Sequence, residues 1–397
     1  MSDPVRASTR FLLAVLCVWT ATAAPAAAQS IDTPARHAIL LDLETDTTLF
    51  AKEPDTPFPP ASMSKMMTVY LLFEQITSGA VALDDTTTVS ADAWKKWAGS
   101  EASLMFLREG EEVTYRELIR GIIVSSGNDA CTVVAQALAG SEDLFADWMN
   151  EKAAELGMTN SKFQNASGWP AQDQYTTARD LALLANRTIQ DFPDLYDYYA
   201  ETEFTYGKDF RTGEPITQYN RNTLLFRMSD AADGLKTGHT QAAGYGLTAS
   251  AERDDRRLIL VVSGLESQNQ RRRESRRLME YGFRNFKNYA LFEAGEEVEN
   301  ATVWLGQSPK VALVVEEPVT LTLSRRQRND LNVTLSYDSP IPAPIEQGQL
   351  LATLTIETSD RAPLTVPLAA ARSVDPISGF GKIKAALEYV VFGAGSQ

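Results

Sequence analysis

The run GYGLTASAERDDRRLILVVSGL, residues 244–265, constrains the fold more than any other stretch. Two apolar, β-branched segments flank an Asp-Asp turn, the pattern of adjacent antiparallel strands. Far upstream, ARHAILLDLETDTTLFA (35–51) reads as two more strands around a polar turn. Between these ends the periodicity is helical. Residues 62–78, after two prolines, read as a helix stopped by Gly79, and residues 115–138 place two apolar helical segments on either side of SSGND. Residues 142–157 form an amphipathic helix with Leu144, Phe145, Trp148, Met149 and Leu156 on one side. Another spans 177–189, with Thr177 as its cap and Leu181, Leu184 and Ile189 inward. Strands at both ends with helices between them imply one α+β domain, roughly residues 29–288.

The texture changes after GFRNFKNY. Residues 289–372 hold short β-branched runs (ATVWLG, VALVVE, VTLTLS, NVTLSY, LLATLTIE) broken by Pro, Gly, Asn and Asp, as in a small all-β domain. No ionisable cluster stands out there, which favours a spacer or docking module. In the tail, residues 373–397, Ile377, Phe380, Ile383, Leu387, Val390 and Val391 recur at spacings of three and four, with Lys382, Lys384 and Glu388 off that stripe. The tail fits an amphipathic helix in a membrane surface or a terminal helix docked on the β domain, and the spacing does not separate the two.

At the other end, Arg6 and Arg10 precede the short apolar core FLLAVLCVW, and Ala26-Ala27-Ala28 offers a small-residue cleavage site. Residues 1–28 therefore read as a secretory signal peptide, and the protein as exported. Cys17 would leave with that segment, so Cys131 is the one remaining cysteine, expected as a small buried hydrophobe. The two histidines, His37 and His239, cannot build a histidine-rich metal site with it. No nucleotide loop or metal-ligand spacing is present, so no cofactor is expected. A net charge of −15 argues against nucleic acid as a partner, because phosphate binding needs a basic footprint.

With histidine so scarce, a serine enzyme built on this chain needs another base. Ser62 and Lys65 lie three apart at the head of the expected 62–78 helix, so both side chains share a face. An ordinary lysine, with a pKa of about 10.4, is protonated at neutral pH and is a poor base. Bringing it to roughly 7–8 takes on the order of 4 kcal/mol, from burial and a nearby cation. Alone, the pair reads as a helix cap and a surface lysine as readily as a nucleophile and its base. Two further stretches change the balance. Ser126-Gly127-Asn128 sets a hydroxyl and an amide on a tight turn, and Lys236-Thr237-Gly238 supplies a second cation, a hydroxyl and a glycine that permits close approach to a strand.

The order S-x-x-K, S-G-N, K-T-G resembles the signature of penicillin-binding proteins and class A β-lactamases. PASMSKMMTVYLL, SGNDA, LGMTNSKFQNASGW and DGLKTGHTQAAGYGLTASAER together resemble the low-molecular-mass penicillin-binding proteins that act as D-alanyl-D-alanine carboxypeptidases. The resemblance implies a penicillin-binding, transpeptidase-like α+β domain (antiparallel sheet plus helical cluster), then the small β domain and the amphipathic tail. It implies that Ser62 attacks the D-Ala–D-Ala bond of a peptidoglycan stem peptide and is also acylated by β-lactams. Lys65 would be the base, Ser126 a proton relay and Asn128 the substrate-amide residue. Lys236 would help depress Lys65 and, with Thr237, face the substrate carboxylate. Backbone N–H groups of Ser62 and His239 would form the oxyanion hole, beside Gly238. Arg271 would help hold the terminal carboxylate, although Arg272 and Arg273 beside it leave the register open. The implied location is the periplasmic face of the cytoplasmic membrane. Ser167 and Trp169 depart from the family's usual His-Gly-Leu around Gly168. A β-lactamase, a D,D-endopeptidase or a non-catalytic β-lactam sensor are the competing readings. The first lacks a convincing E-x-x-x-N carboxylate, and a pure sensor need not keep both Ser62 and Lys65.

Overall fold

The computed structural model describes residues 31–209, 211–359, 361–379 and 381. The expected signal segment and nearly all of the amphipathic stripe of the tail lie outside these residues.

The expected hairpin is present as Gly244–Arg253 and Arg256–Leu265. Asp254 and Asp255 both adopt positive φ (51° and 59°), the left-handed turn that matches the twist of the flanking strands and that short polar side chains tolerate. Around it forms a five-stranded sheet in the order Thr47–Lys52, His37–Asp42, Arg256–Leu265, Gly244–Arg253, Ala232–Thr240. Every neighbouring pair is antiparallel, so the first strands of the domain lie beside the last.

Helices cover the sheet. The helix Lys65–Thr77 is buried at every position from Lys65 to Phe73, which explains why its sequence is apolar all round rather than striped. Tyr115–Ile123 opens with a capping box between Thr114 and Glu117, and Ala178–Asp191 opens with the expected Thr177 cap, whose Oγ1 accepts from Asp180 N at 3.1 Å. Glu142–Leu156 buries Phe145 and Met149 as expected, but Leu144 is exposed. Leu144 lies about 100° round the helix from Phe145, off the face that buries Phe145, Ala146, Met149 and Ala153.

The helix Gln268–Asn285 runs without a linker into the strand Phe286–Phe292, which pairs with Val319–Ser324. The rest of the all-β unit is a six-stranded sheet with its own core of Val303, Val311, Leu313, Leu354 and Leu368. A polar clasp joins the two parts. Fully buried Asp42 accepts from Arg256 Nε at 2.6 Å, while Arg256 Nη1 donates to the Gly282 and Phe286 carbonyls. Asn288 donates to Asp42 and Glu44, and Arg361 bridges the Thr322 carbonyl and Thr47 Oγ1.

Candidate active site

Pro59 and Pro60 lead into a single 3₁₀ turn, Ala61–Ser64, followed directly by the helix from Lys65. Ser62 sits in that turn and does not cap the helix: neither helical segment has a side-chain cap. Its hydroxyl is used otherwise, accepting from Lys65 Nζ at 3.1 Å. Ser64 points elsewhere, with its Oγ buried and unpartnered. Lys65 is fully buried, and Nζ also donates to Asn128 Oδ1 at 2.7 Å and to the Ser167 carbonyl at 2.5 Å. The three direct acceptors of the amine are neutral oxygens, while Asp129 and Glu142 favour its charged form from further away. Burial lowers its pKa to about 8, helped by the charge of Arg221.

A second lysine–serine pair faces this one. Lys236 Nζ donates to Ser126 Oγ at 2.9 Å, and both residues are buried. Ser126 adopts φ 57°, a left-handed conformation uncommon for serine, at the bend between the helices Tyr115–Ile123 and Asn128–Ala139. Asn128 opens the second of these helices, with its backbone N–H on the Ser103 carbonyl. Asp129 anchors the facing segment by accepting from the backbone N–H groups of Met105, Phe106 and Leu107.

The pKa of Lys236 is pushed well down, by burial first and then by Lys65, Arg221 and Arg271. Two ammonium groups this deep oppose each other, and the charge of Arg221 lowers both. Solvent reaches the Arg221 side chain, yet Nη1 donates to Ser103 Oγ at 2.7 Å and its field reaches both lysines. Sequence reasoning missed Arg221. A lone arginine between Asn220 and Asn222 carries no motif; Asn222 Nδ2 holds the Gly234 carbonyl at the start of the Lys236 strand.

The strand Ala232–Thr240 lies against the Ala61–Ser64 turn. A Cβ on Gly238 would stand 3.1 Å from Met63 Cγ and 3.2 Å from the Pro60 carbonyl, so a larger residue would crowd Ser62 away. Thr237 is buried beside it, and His239 is exposed, stacked on Tyr245 with centroids 3.9 Å apart. Among the described residues His239 bonds to no serine or carboxylate, which leaves no Ser-His-Asp arrangement. Arg271 points inward: it is 4% exposed, donates to the Gly246 and Arg221 carbonyls at 3.4 and 3.3 Å, and lies over the Tyr245 ring, whereas Arg272 and Arg273 face solvent. Burial and Arg221 lower its pKa to about 10. Cys131 is buried as expected, its thiol pushed up to about 12 by burial. No group of His, Cys, Asp and Glu among the described residues could hold a metal ion.

The site thus brings together a serine–lysine pair whose lysine has a lowered pKa, a second serine–lysine pair and two arginines. Residues 21–267 match the D-alanyl-D-alanine carboxypeptidase family, and residues 286–376 match the C-terminal domain of penicillin-binding protein 5. The chain is 37% identical over 350 residues to D-alanyl-D-alanine carboxypeptidase DacA of Escherichia coli, covering 87% of this chain and 85% of that one. It is 32% identical over 341 residues to DacF of Bacillus subtilis, covering 85% of each. Among solved structures, penicillin-binding protein 5 of Haemophilus influenzae superposes with a TM-score of 0.74 at 32% identity, covering 87% of this chain and 99% of that one. DacD of Francisella tularensis superposes with a TM-score of 0.77 at 29% identity, covering 87% and 95%. The chain belongs to the D-alanyl-D-alanine carboxypeptidases of peptidase family S11, serine-type hydrolases with a penicillin-binding fold.

Proposed function

We propose that Ser62 is the nucleophile and Lys65 the base that takes its proton. The observation that carries this reading is the 3.1 Å contact between Lys65 Nζ and Ser62 Oγ, with the lysine lowered to about 8. At that value about one molecule in ten holds neutral Lys65 at pH 7, several hundred-fold more than an ordinary lysine would allow. Attack on the carbonyl of the D-Ala–D-Ala bond forms an ester on Ser62 as the C–N bond breaks. The proton that Lys65 took from Ser62 passes to the leaving amine through Ser126, which leaves Lys65 neutral again, and water then hydrolyses the ester, returning a proton to Ser62 and releasing the shortened stem peptide. The substrate's terminal carboxylate sits by Lys236, Thr237 and Arg271. Its negative charge favours the ammonium form of Lys236, which then adds to the field of Arg221 on Lys65. Asn128 orients the substrate amide, and the backbone N–H groups of Ser62 and His239 receive the developing oxyanion. β-Lactams acylate Ser62 by the same attack.

Neither acidic group near Lys65 is free to activate a deacylating water in the β-lactamase manner. Asp129 is filled by backbone donors, and Glu142 accepts from Lys96, Thr132 and the Ala166 N–H. The test is to incubate the protein with a fluorescent penicillin and with a peptide ending in D-Ala–D-Ala. Label on Ser62 together with released D-Ala supports the carboxypeptidase reading. Neither signal would sink it, and label without release would leave a sensor.

We also propose that residues 1–28 direct export, that the catalytic domain occupies 29–288 and the β domain 289–372, and that residues 373–397 associate with the periplasmic face of the cytoplasmic membrane. Among the described residues no helix is long and apolar enough to cross a membrane. The apolar stripe of the tail supports surface binding instead. Deleting 375–397 should release the protein from the membrane fraction; unchanged fractionation would exclude the tail as the anchor.

A further inference from the structure

A chain of net charge −15 is an awkward catalyst for an acidic polymer, since like charges slow encounter. One face of this molecule runs against that sign. The helix Gln268–Asn285 carries six arginines and two glutamates. Arg271 turns inward to the catalytic cleft, while Arg272, Arg273, Arg276, Arg277 and Arg284 are exposed on the same helix. Arg277 pairs with Glu274, and Arg284 with Glu280. Arg272, Arg273 and Arg276 form no ion pair among the described residues, although Arg276 adds to the field that holds Glu280 below its ordinary range.

Three unneutralised guanidinium groups are thus grouped on the helix whose first turns deliver Arg271 to the site. Beyond the field of Arg276 on Glu280 they cap no helix end, since they sit in the N-terminal half, where positive charge opposes the helix dipole. Keeping them there costs stability, which points to an external anion. The guanidinium fork suits carboxylates, and un-cross-linked stem peptides present free carboxylates repeatedly along a strand.

We propose that the exposed face formed by Arg272, Arg273 and Arg276 is a docking surface for the carboxylate-bearing stem peptides of polymeric peptidoglycan, adjacent to the one in the cleft. This rests on the carboxypeptidase reading and deepens it. The face recruits the polymer to an otherwise repulsive enzyme and has no part in the chemistry of a single bound peptide. Its contribution is electrostatic and weakens once added salt shortens the screening length to a few ångströms.

The test compares the full chain with R272Q/R273Q/R276Q on two substrates at several salt concentrations. On a short soluble peptide ending in D-Ala–D-Ala, the two proteins should have the same kcat/KM within about twofold. On insoluble peptidoglycan sacculi at low salt, D-Ala release by the variant should fall roughly tenfold, within the range that steering supplies. The advantage of the unaltered protein should vanish at high salt. Co-sedimentation with sacculi should show the same difference, and it reads the surface even if neither protein releases D-Ala, the outcome that would instead overturn the carboxypeptidase reading. Equal release and equal co-sedimentation would overturn the proposal. So would a loss confined to binding of phosphatidylglycerol vesicles, which would make the face a membrane contact.

Discussion

Lys65 Nζ and Asn128 Oδ1 are 2.7 Å apart, a buried contact that joins the first and second motifs through the lysine itself. Because the amide oxygen is neutral, it orients the amine without fixing its charge. The depressed pKa is therefore left to burial and to surrounding cations.

That division makes the acid limb of activity a direct readout. Activity needs neutral Lys65, so kcat/KM should rise with pH through about 8. Replacing Arg221 by Gln removes a cation that lowers Lys65, and the limb should move to higher pH. Lys236→Ala should move it the same way in the complex, through kcat, and should also slow acylation by roughly 10²–10³. A pH–rate profile that neither variant displaces would locate the controlling charge elsewhere.

The same burial has a cost in stability, with a definite sign. A lysine lowered in the folded protein binds fewer protons there than when unfolded, so stability rises with pH between about 8 and 10.5. Below pH 8 the buried ammonium is a full penalty. Lys65→Met should abolish turnover and yet raise stability at pH 7 by roughly 1–3 kcal/mol, less whatever the lost hydrogen bonds contributed. Denaturant unfolding at pH 7 checks this, and a destabilised variant would contradict it.

Gly168 tests the ceiling over Lys65. It adopts φ 74°, and a Cβ would fall 1.8 Å from the Ala61 carbonyl, beside the nucleophile turn. Gly168→Ala should displace both that turn and the Ser167 carbonyl that receives Lys65. Penicillin acylation should drop at least about tenfold, for near-ångström misplacement of reacting groups costs on the order of 10²-fold. Acylation at the unaltered rate would show that the turn can move without penalty.

Asp42→Ala leaves Arg256 without its carboxylate in a buried site, which should cost about 3–5 kcal/mol. The loss should be seen in thermal unfolding. Limited proteolysis should then cut near the Asn285–Phe286 junction, where the intact protein resists. An unchanged melting temperature would mean that the clasp contributes nothing net.

The candidate site was legible because its side chains sit in short motifs whose residue types have few other joint uses. Ser62 and Asn128 bond Lys65, and Ser126 bonds Lys236. The hairpin at 244–265 was legible for a similar reason, since its alternation and its Asp-Asp turn are both local. What escaped was information that no side chain advertises. The third ligand of Lys65 is the carbonyl of Ser167, and any residue could supply it. Arg221 acts through distance alone, set by a fold that brings residue 221 beside residues 65 and 236. Leu144 is exposed because it lies about 100° round the helix from Phe145, away from the buried face of Phe145, Met149 and Ala153. Arg271 could be distinguished from its neighbours only by helix phase, which the adjacent arginines obscure in sequence.

The direct passage of the helix Gln268–Asn285 into the strand Phe286–Phe292, clamped by Asp42, Arg256, Asn288 and Arg361, leaves no swivel between cleft and β unit. If the C-terminal end is tethered, the catalytic mouth is carried like the tool on a rigid boom. It then works at one altitude, so the thickness of wall it can trim is set by the length of a folded domain.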